Sequence, residues 1–436
     1  MSPIDIGLIG IAAILGMIAL QVPIGVALGA GSIVGTWAIL GLTPALGILR
    51  NIPFSFVANW SLTAIPMFLL MSAIANHSGL SASLFRAARL WLRFLPGSLA
   101  IASTFACAGL AAASGSSMAT AAAMGRLAIP EMVKAGYDKG LAAGVVASAG
   151  TLGSLIPPSI LIVLYAIFAQ VSISQTLIAG VLPGLLTAAV YAVMIMLRAT
   201  LTPKVAPRLA DDDVDPAEKW QALREIWPLP VIIIIIIGGI YSGLVTATEA
   251  GAFGVAVSAI IAALQKRLTL KVVIDSLVEA CISTGQIFFT AIGAILLTRF
   301  LAFAGVPAFL AHFAAPFVHE PLMLVLGASV IFLILGMFLD PLGLMLLSLP
   351  ILLPLFEASG ANLIWFGIIV VKFLEIGLVT PPVGFNVYII KSVVGDTMSL
   401  ETIFRGVMWF VLCELIVVGL LVAFPGIALF LPSLMR

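Results

Sequence analysis

Residues 96–159 contain Ser114-Gly115-Ser116-Ser117, Ile129-Pro130-Glu131-Met132, Gly136-Tyr137-Asp138-Lys139 and Leu152-Gly153-Ser154-Leu155-Ile156-Pro157-Pro158-Ser159. Apolar sequence of membrane length surrounds each of these motifs. Small hydroxyls, glycines and paired prolines in such sequence interrupt helices at membrane depth. Lipid cannot satisfy the N–H and C=O groups that an interruption frees. A break therefore survives only where protein buries it or where it lines a polar site. The stretch reads as a site built inside a membrane protein.

Composition agrees with that reading. Of 436 residues, 62% are apolar and 9% charged, against about 25% charged in soluble domains. Polar residues are bunched, and the apolar runs approach the roughly 20 residues that cross a bilayer. The alternation of a membrane β-barrel is absent, so the expected fold is an all-α polytopic membrane protein with lipid around it. A net charge of +1 gives no reason to expect nucleic acid. Cys107, Cys281 and Cys413 lie far apart in apolar contexts, and His77, His312 and His319 lack ligand spacing. The apolar N-terminal segment has no basic n-region and reads as a first span rather than a cleavable signal.

Outward from the central stretch, Ile4–Leu40 reads as two spans joined at Gln21-Val22-Pro23, followed by a third over Ile52–Ile74. In Leu80–Leu95, Leu80, Leu84, Trp91, Leu92 and Leu95 share one helical face while Arg86, Arg89 and Arg93 share another. That pattern suits a helix in the headgroup plane; a basic inter-span loop is the alternative. The six isoleucines Ile232–Ile237 read as lipid-facing, and Thr246 with Glu249 as a capping box. The expected organisation begins with scaffold spans over 1–76, an amphipathic helix over 80–95, and a hairpin plus broken helix over 97–170. A span over 172–197 and a cytoplasmic linker over 198–225 follow. The second half runs as scaffold spans over 226–303, a short helix over 306–317, a hairpin plus broken helix over 320–392, and a final span over 403–431.

The two halves share landmarks. Gly79 corresponds to Gly305, Ser114 to Asp340, Pro130 to Pro354, and Pro157-Pro158 to Pro381-Pro382. Each hairpin fits either two full spans or a re-entrant pair. If both are re-entrant and the N-terminus is outside, fifteen basic residues lie cytoplasmic and only Arg50 and Arg436 outside. The positive-inside rule selects that layout, in which the repeats are inverted. Matched helix breaks in internal repeats point to a transporter binding site.

Broken helices offer free carbonyl oxygens for Na⁺ and half-helix N-termini for a carboxylate. The oxygen-rich set for Na⁺ is Ser114, Gly115, Ser116, Ser117, Gly153, Gly336, Asp340, Thr380, Pro381, Gly384 and Asn386. Ser154, Pro157, Pro158, Ser159, Lys372 and Glu375 form the set for substrate. Several of these have plainer readings. Ser114, Ser116, Ser117 and Asp340 are also good helix caps, and Lys372 with Glu375, three apart, most simply forms an intramembrane ion pair. No nucleophile–base pair, metal cluster or phosphate loop suggests an enzyme, and no cofactor is implied beyond Na⁺ as coupling ion. A channel would need a continuous polar path.

Ser-Gly-Ser-Ser, Ile-Pro-Glu-Met, Gly-Tyr-Asp-Lys, Leu-Gly-x-Leu-Ile-Pro-Pro-Ser, Thr-x-Thr-Glu-Ala and Glu-Ile-Gly-Leu-Val-Thr-Pro-Pro-Val-Gly together resemble the large membrane subunit of tripartite ATP-independent periplasmic (TRAP) transporters. The resemblance covers nearly the whole chain. It implies an elevator-type architecture of the ion-transporter superfamily in a bacterial inner membrane. It also implies Na⁺-coupled import of a small organic acid, C4-dicarboxylates among the possibilities. The implied partners are a small four-helix membrane subunit, expected as a separate chain, and a periplasmic substrate-binding protein. A stand-alone Na⁺/organic-anion carrier is the alternative.

Overall fold

The computed structural model describes residues 2–79, 82–207, 216–314 and 321–435. Leu80, Ser81, the acidic run Asp211–Asp215 and residues 315–317 of the expected short helix lie outside the described residues. Among the described residues the secondary structure is helical, and helix ends follow local chemistry. α1 (Pro3–Ala19) opens on a reciprocal box in which the Asp5 N–H donates to Ser2 Oγ (3.2 Å) and the Ser2 N–H donates to Asp5 Oδ2 (2.9 Å). α2 (Ile24–Leu40) stops at Gly41, whose φ of +88° favours glycine.

The third span departs from expectation. α3 (Leu42–Val57) and α4 (Ala64–His77) are separate helices bent by 58° across a 3-10 turn. Asn59 causes the interruption by accepting the Ser61 N–H at 2.9 Å, which caps a new turn. α5 (Ala82–Trp91) is shorter than the expected 80–95 element, residues 92–97 being turns and bends. Its apolar face meets protein. Leu84 packs on Gly109, and Ala87 and Leu90 are buried against Ala222 of a later helix.

α6 (Ser98–Ser114) and α7 (Ser117–Lys134) form the first hairpin. α8 (Lys139–Ala149) runs into a 3-10 turn (Gly150–Ser154), after which the chain unwinds before α9 (Ile160–Phe168). α10 (Ile173–Ala179) and α11 (Val181–Leu201) complete this half. α12 (Pro216–Glu225), α13 (Pro228–Tyr241), α14 (Ala247–Leu264) and α15 (Leu270–Ala304) open the second half. The Thr246–Glu249 capping box forms as expected. The isoleucine run does not face lipid as a block: Ile232, Ile236 and Ile240, spaced at four, are buried, while Ile234 is exposed.

α16 (Val306–Ala314) precedes the second hairpin, α17 (Pro321–Gly336) and α18 (Pro341–Ala358). α19 (Leu363–Val379) and α20 (Phe385–Val394) form a broken helix around Thr380–Gly384. Both Pro-Pro bonds, 157–158 and 381–382, are cis. The expected final span is divided into α21 (Leu400–Ala423) and α22 (Gly426–Ser433) at Pro425, which has no N–H to continue the ladder.

Packing sorts these helices into two groups. α15 lies against α1–α4, and α14 against α4 and α13. Gly25 and Gly293 allow this closeness, since a Cβ at Gly293 would stand 2.8 Å from the Gly25 carbonyl oxygen. In the other group α8 lies on α21, α7 on α20, and α19 on α17, α18 and α21. The groups meet where α2 and α15 touch α18 and where α4 touches α6 and α9. Among the described residues, five helices are long and apolar enough to cross a membrane, or up to seven if each bent pair is one span.

Candidate functional site

The first hairpin tip is shaped by backbone. Gly115 takes a left-handed φ of +58°, and Ser116 is extended, its Oγ accepting the Ala119 N–H at 3.4 Å to cap α7. The tip sits on the first break. A Cβ on Gly115 would come within 2.9 Å of the Pro158 carbonyl oxygen, and one on Gly153 within 3.2 Å of the Ser116 backbone. Ser117 and Ser154, both buried, hydrogen-bond hydroxyl to hydroxyl at 2.5 Å. Ser159 donates to the Ser154 carbonyl oxygen while its own Oγ accepts the Ile162 N–H at 3.3 Å, capping α9. The Ser114 side chain is not among the described groups.

The second tip has the same parts in different residues. Asp340 caps α18, its Oδ2 accepting the Gly343 N–H at 3.1 Å, with Pro341 at the first helical position. Gly336 packs on Gly377 of the broken helix, where a Cβ would stand 3.0 Å from the Gly336 Cα. At the break Thr380 donates to the Ile376 carbonyl oxygen at 2.6 Å, leaving its lone pairs free to accept. Asn386 is fully buried and reaches the first half, its Nδ2 donating to the Ala147 carbonyl oxygen at 3.0 Å. Its Oδ1 has no hydrogen-bond partner, an acceptor held inside the protein.

A cavity of about 640 Å³ lies between the two helix groups. Gly115, Ser116, Ser117, Ser154 and Asp340 line it, as do Leu378 and Phe385 on either side of the second break. Gly153, Pro158 and Gly336 pack behind the tips, with Pro157 and Ser159 in the buried first break. Thr380, Pro381, Gly384 and Asn386 lie in or beside the second break and are not in the wall itself. Five helices present their first turns to this space: α2 through Ile24, α7 through Ser117 and Met118, α9 through Ile160 and Leu161, α18 through Pro341 and Leu342, and α20 through Phe385. Each brings the partial positive charge of a helix N-terminus, which in α18 is already met by Asp340, since Pro341 has no N–H and the Gly343 N–H donates to that carboxylate. The charged lining side chains are both carboxylates, Asp340 and Glu279. No cluster of three His, Cys, Asp or Glu residues suited to a metal occurs among the described residues. Hydroxyl, carbonyl and single carboxylate oxygens are what a hard monovalent cation takes, and convergent helix N-termini are what an anion takes.

Lys372 and Glu375, expected in the substrate set, stand apart from this cavity. Both are fully buried and neither lines the cavity. Lys372 Nζ lies 2.7 Å from Glu375 Oε2 and also pairs with Glu414 of α21, so neighbouring helices enclose the ammonium. The intrahelical ion pair does form. Sequence reasoning missed Glu414 and the whole opposite wall: Ser72 and Asn76 on α4, with Glu279, Ser283, Gln286 and Thr290 on α15. Those four α15 residues recur at helical spacing, so the polar stripe was readable. His77 meets Glu279 at 2.7 Å.

The family model for the tripartite ATP-independent periplasmic transporter, DctM component, matches residues 11–427. The C4-dicarboxylate TRAP transporter large permease protein DctM of Pseudomonas aeruginosa is 36% identical over 408 residues, covering 90% of this chain and 93% of that protein. The sialic acid TRAP transporter large permease protein SiaM of Vibrio cholerae is 31% identical over 428 residues, covering 96% and 97%. The YdaH transporter of Alcanivorax borkumensis shares the fold, with a TM-score of 0.60 at 15% identity, covering 88% of this chain and 90% of that structure. Fold, cavity and family match agree: the chain belongs to the tripartite ATP-independent periplasmic transporters as a large permease, the DctM component.

Proposed function

We propose that this permease imports a small organic acid across a bacterial inner membrane by Na⁺-coupled secondary transport. The observation that carries the reading is the convergence of helix N-termini, Asp340 and the hydroxyls of Ser116, Ser117 and Ser154 on one cavity. The N-termini suit the carboxylate or sulfonate of the substrate. Na⁺ is held by oxygens from the tips and breaks, with Asp340, Ser116, Thr380 and Asn386 supplying side chains and Gly115, Gly153, Gly336, Pro381 and Gly384 backbone. The two relatives are named for a C4-dicarboxylate and for sialic acid, both organic acids.

The hairpins and broken helices form the moving body, and α1–α4 with α13–α15 the static one. The halves are inverted repeats with the N-terminus periplasmic, a layout in which the Asn76 and Glu279 end of the cavity lies toward the cytoplasmic side, as does the basic loop Lys266-Arg267. Substrate arrives on a periplasmic binding protein, and a separate small four-helix subunit steadies the static body.

Vesicles holding both membrane subunits, supplied outside with the liganded binding protein, are expected to accumulate substrate only under an inward Na⁺ gradient. Equal uptake driven by a pH gradient in Na⁺-free buffer refutes the coupling. Full-rate uptake by this chain alone refutes the need for partners.

A further inference from the structure

Away from the cavity, three helices enclose an ionic cluster that the transport reading does not use. Lys372 and Glu375 come from α19, Glu414 from α21, and Thr187 and Tyr191 from α11. Each of the five is at most 1% exposed. Lys372 Nζ donates to Glu375 Oε2 (2.7 Å) and Thr187 Oγ1 (3.2 Å) and forms an ion pair with Glu414 Oε2. The Tyr191 phenol donates to Glu414 Oε1, and the Thr187 hydroxyl to the Pro183 carbonyl oxygen (2.8 Å).

Two consequences follow from counting. First, one ammonium faces two carboxylates, so full ionisation would leave one negative charge sealed inside apolar protein. Buried groups escape that penalty by neutralising. Second, Glu375 Oε1 and Glu414 Oε2 both lack a hydrogen-bond partner, but Glu414 Oε2 faces the Lys372 ammonium in an ion pair and Glu375 Oε1 does not. Glu414 has the Tyr191 hydroxyl on one oxygen and the Lys372 ammonium against the other, while Glu375 has Lys372 alone.

We propose that the cluster binds one additional proton, carried by Glu375, and that the buried ion pair is Lys372 with Glu414. Other titratable groups on the surrounding helices do not supply the missing charge. Cys413 adjoins Glu414 on α21 and carries no positive charge. Arg198, on α11, lies over Trp409 at 4.7 Å. Tyr165 of α9 donates to the Leu363 carbonyl oxygen (2.6 Å), about two and a half turns along α19 from Lys372, with Glu357 of α18 on that same side. Lys391 of α20 is bound to the Gly395 and Met398 carbonyl oxygens. The inference does not depend on sodium coupling.

Infrared spectroscopy of the purified permease in H₂O and D₂O tests it. Wild type is expected to show the C=O stretch of a buried carboxylic acid, shifting on deuteration and present at about pH 6, where an ordinary glutamate is ionised. Glu375→Gln copies the neutral acid, so it is expected to lose that band while melting within about 2 °C of wild type. Lys372→Met removes the cation and is expected to raise the band roughly twofold, because both glutamates must then be neutral. Absence of the band in wild type, its survival in Glu375→Gln, or a drop of many degrees in that variant overturns the assignment.

Discussion

Asp340 has two roles that one substitution separates. It caps α18 through the Gly343 N–H at 3.1 Å, and it is one of two carboxylates lining the cavity. Asparagine caps as well as aspartate does, whereas alanine forfeits about 1 kcal/mol of cap. A hydrogen bond or contact to a charged group is worth about 1.5–3 kcal/mol, so removing the charge from a bound cation is expected to weaken it about 10- to 150-fold. Asp340→Asn should therefore melt like wild type in K⁺ buffer but need about 10- to 150-fold more Na⁺ for half-maximal thermal stabilisation and half-maximal uptake. Asp340→Ala should show the same Na⁺ deficit plus the loss of the cap in K⁺. A wild-type Na⁺ response in Asp340→Asn, with only the alanine variant impaired, would show that the carboxylate is a cap and nothing more.

Three further outcomes are expected. Gly406→Ala puts a Cβ 1.8 Å from the Gly140 carbonyl oxygen, where neither backbone can yield without parting α8 from α21. It should cost about 3 kcal/mol or more in thermal or denaturant unfolding, while Gly238→Ala, with nothing within 4 Å, should be neutral or stabilising. Ser117→Ala and Ser154→Ala remove either end of the 2.5 Å hydroxyl pair joining tip to break; a double-mutant cycle on melting should give a coupling of about 0.5–1.5 kcal/mol, and additivity would rule the pair out as a link. On α5, Arg86→Ala should shift stability by less than about 1 kcal/mol because its pairs with Glu218 and Glu225 are exposed. Trp91→Ala should cost more than Arg86→Ala, since it removes the edge contact with Trp220 at 5.7 Å and a bond to the Lys219 carbonyl oxygen.

Helix breaks were the most legible feature of this chain. A cap, a glycine with positive φ or a proline acts on backbone groups within about four residues, so Ser116, Ser159, Asp340 and Gly384 declare themselves locally. The 3-10 turn after Asn59 is equally local, but Asn59-Trp60-Ser61 sits in a run apolar enough to pass for one span. The amphipathic α5 shows the limit of periodicity. Of the expected apolar face, Leu92 and Leu95 lie past the helix and Trp91 is exposed, while Phe85, Ala87 and Leu90 are buried, and nothing in residues 82–91 says that α6 and α12 pack there.

From sequence alone came the class of molecule, the helical plan, the four interruptions and the Lys372–Glu375 pair, because each depends on composition or on neighbours within a helical turn or so. Only the tertiary structure decided that Glu414 shares Lys372, that Asn386 reaches the Ala147 carbonyl oxygen, and that the α15 stripe from Glu279 to Thr290 faces Asp340 across a common cavity. Those relations join residues from 42 to 239 positions apart. They depend on how far each helix is rotated and slid against its neighbour. Helix register is set by the fit of many small and apolar side chains at once, and no short motif encodes it.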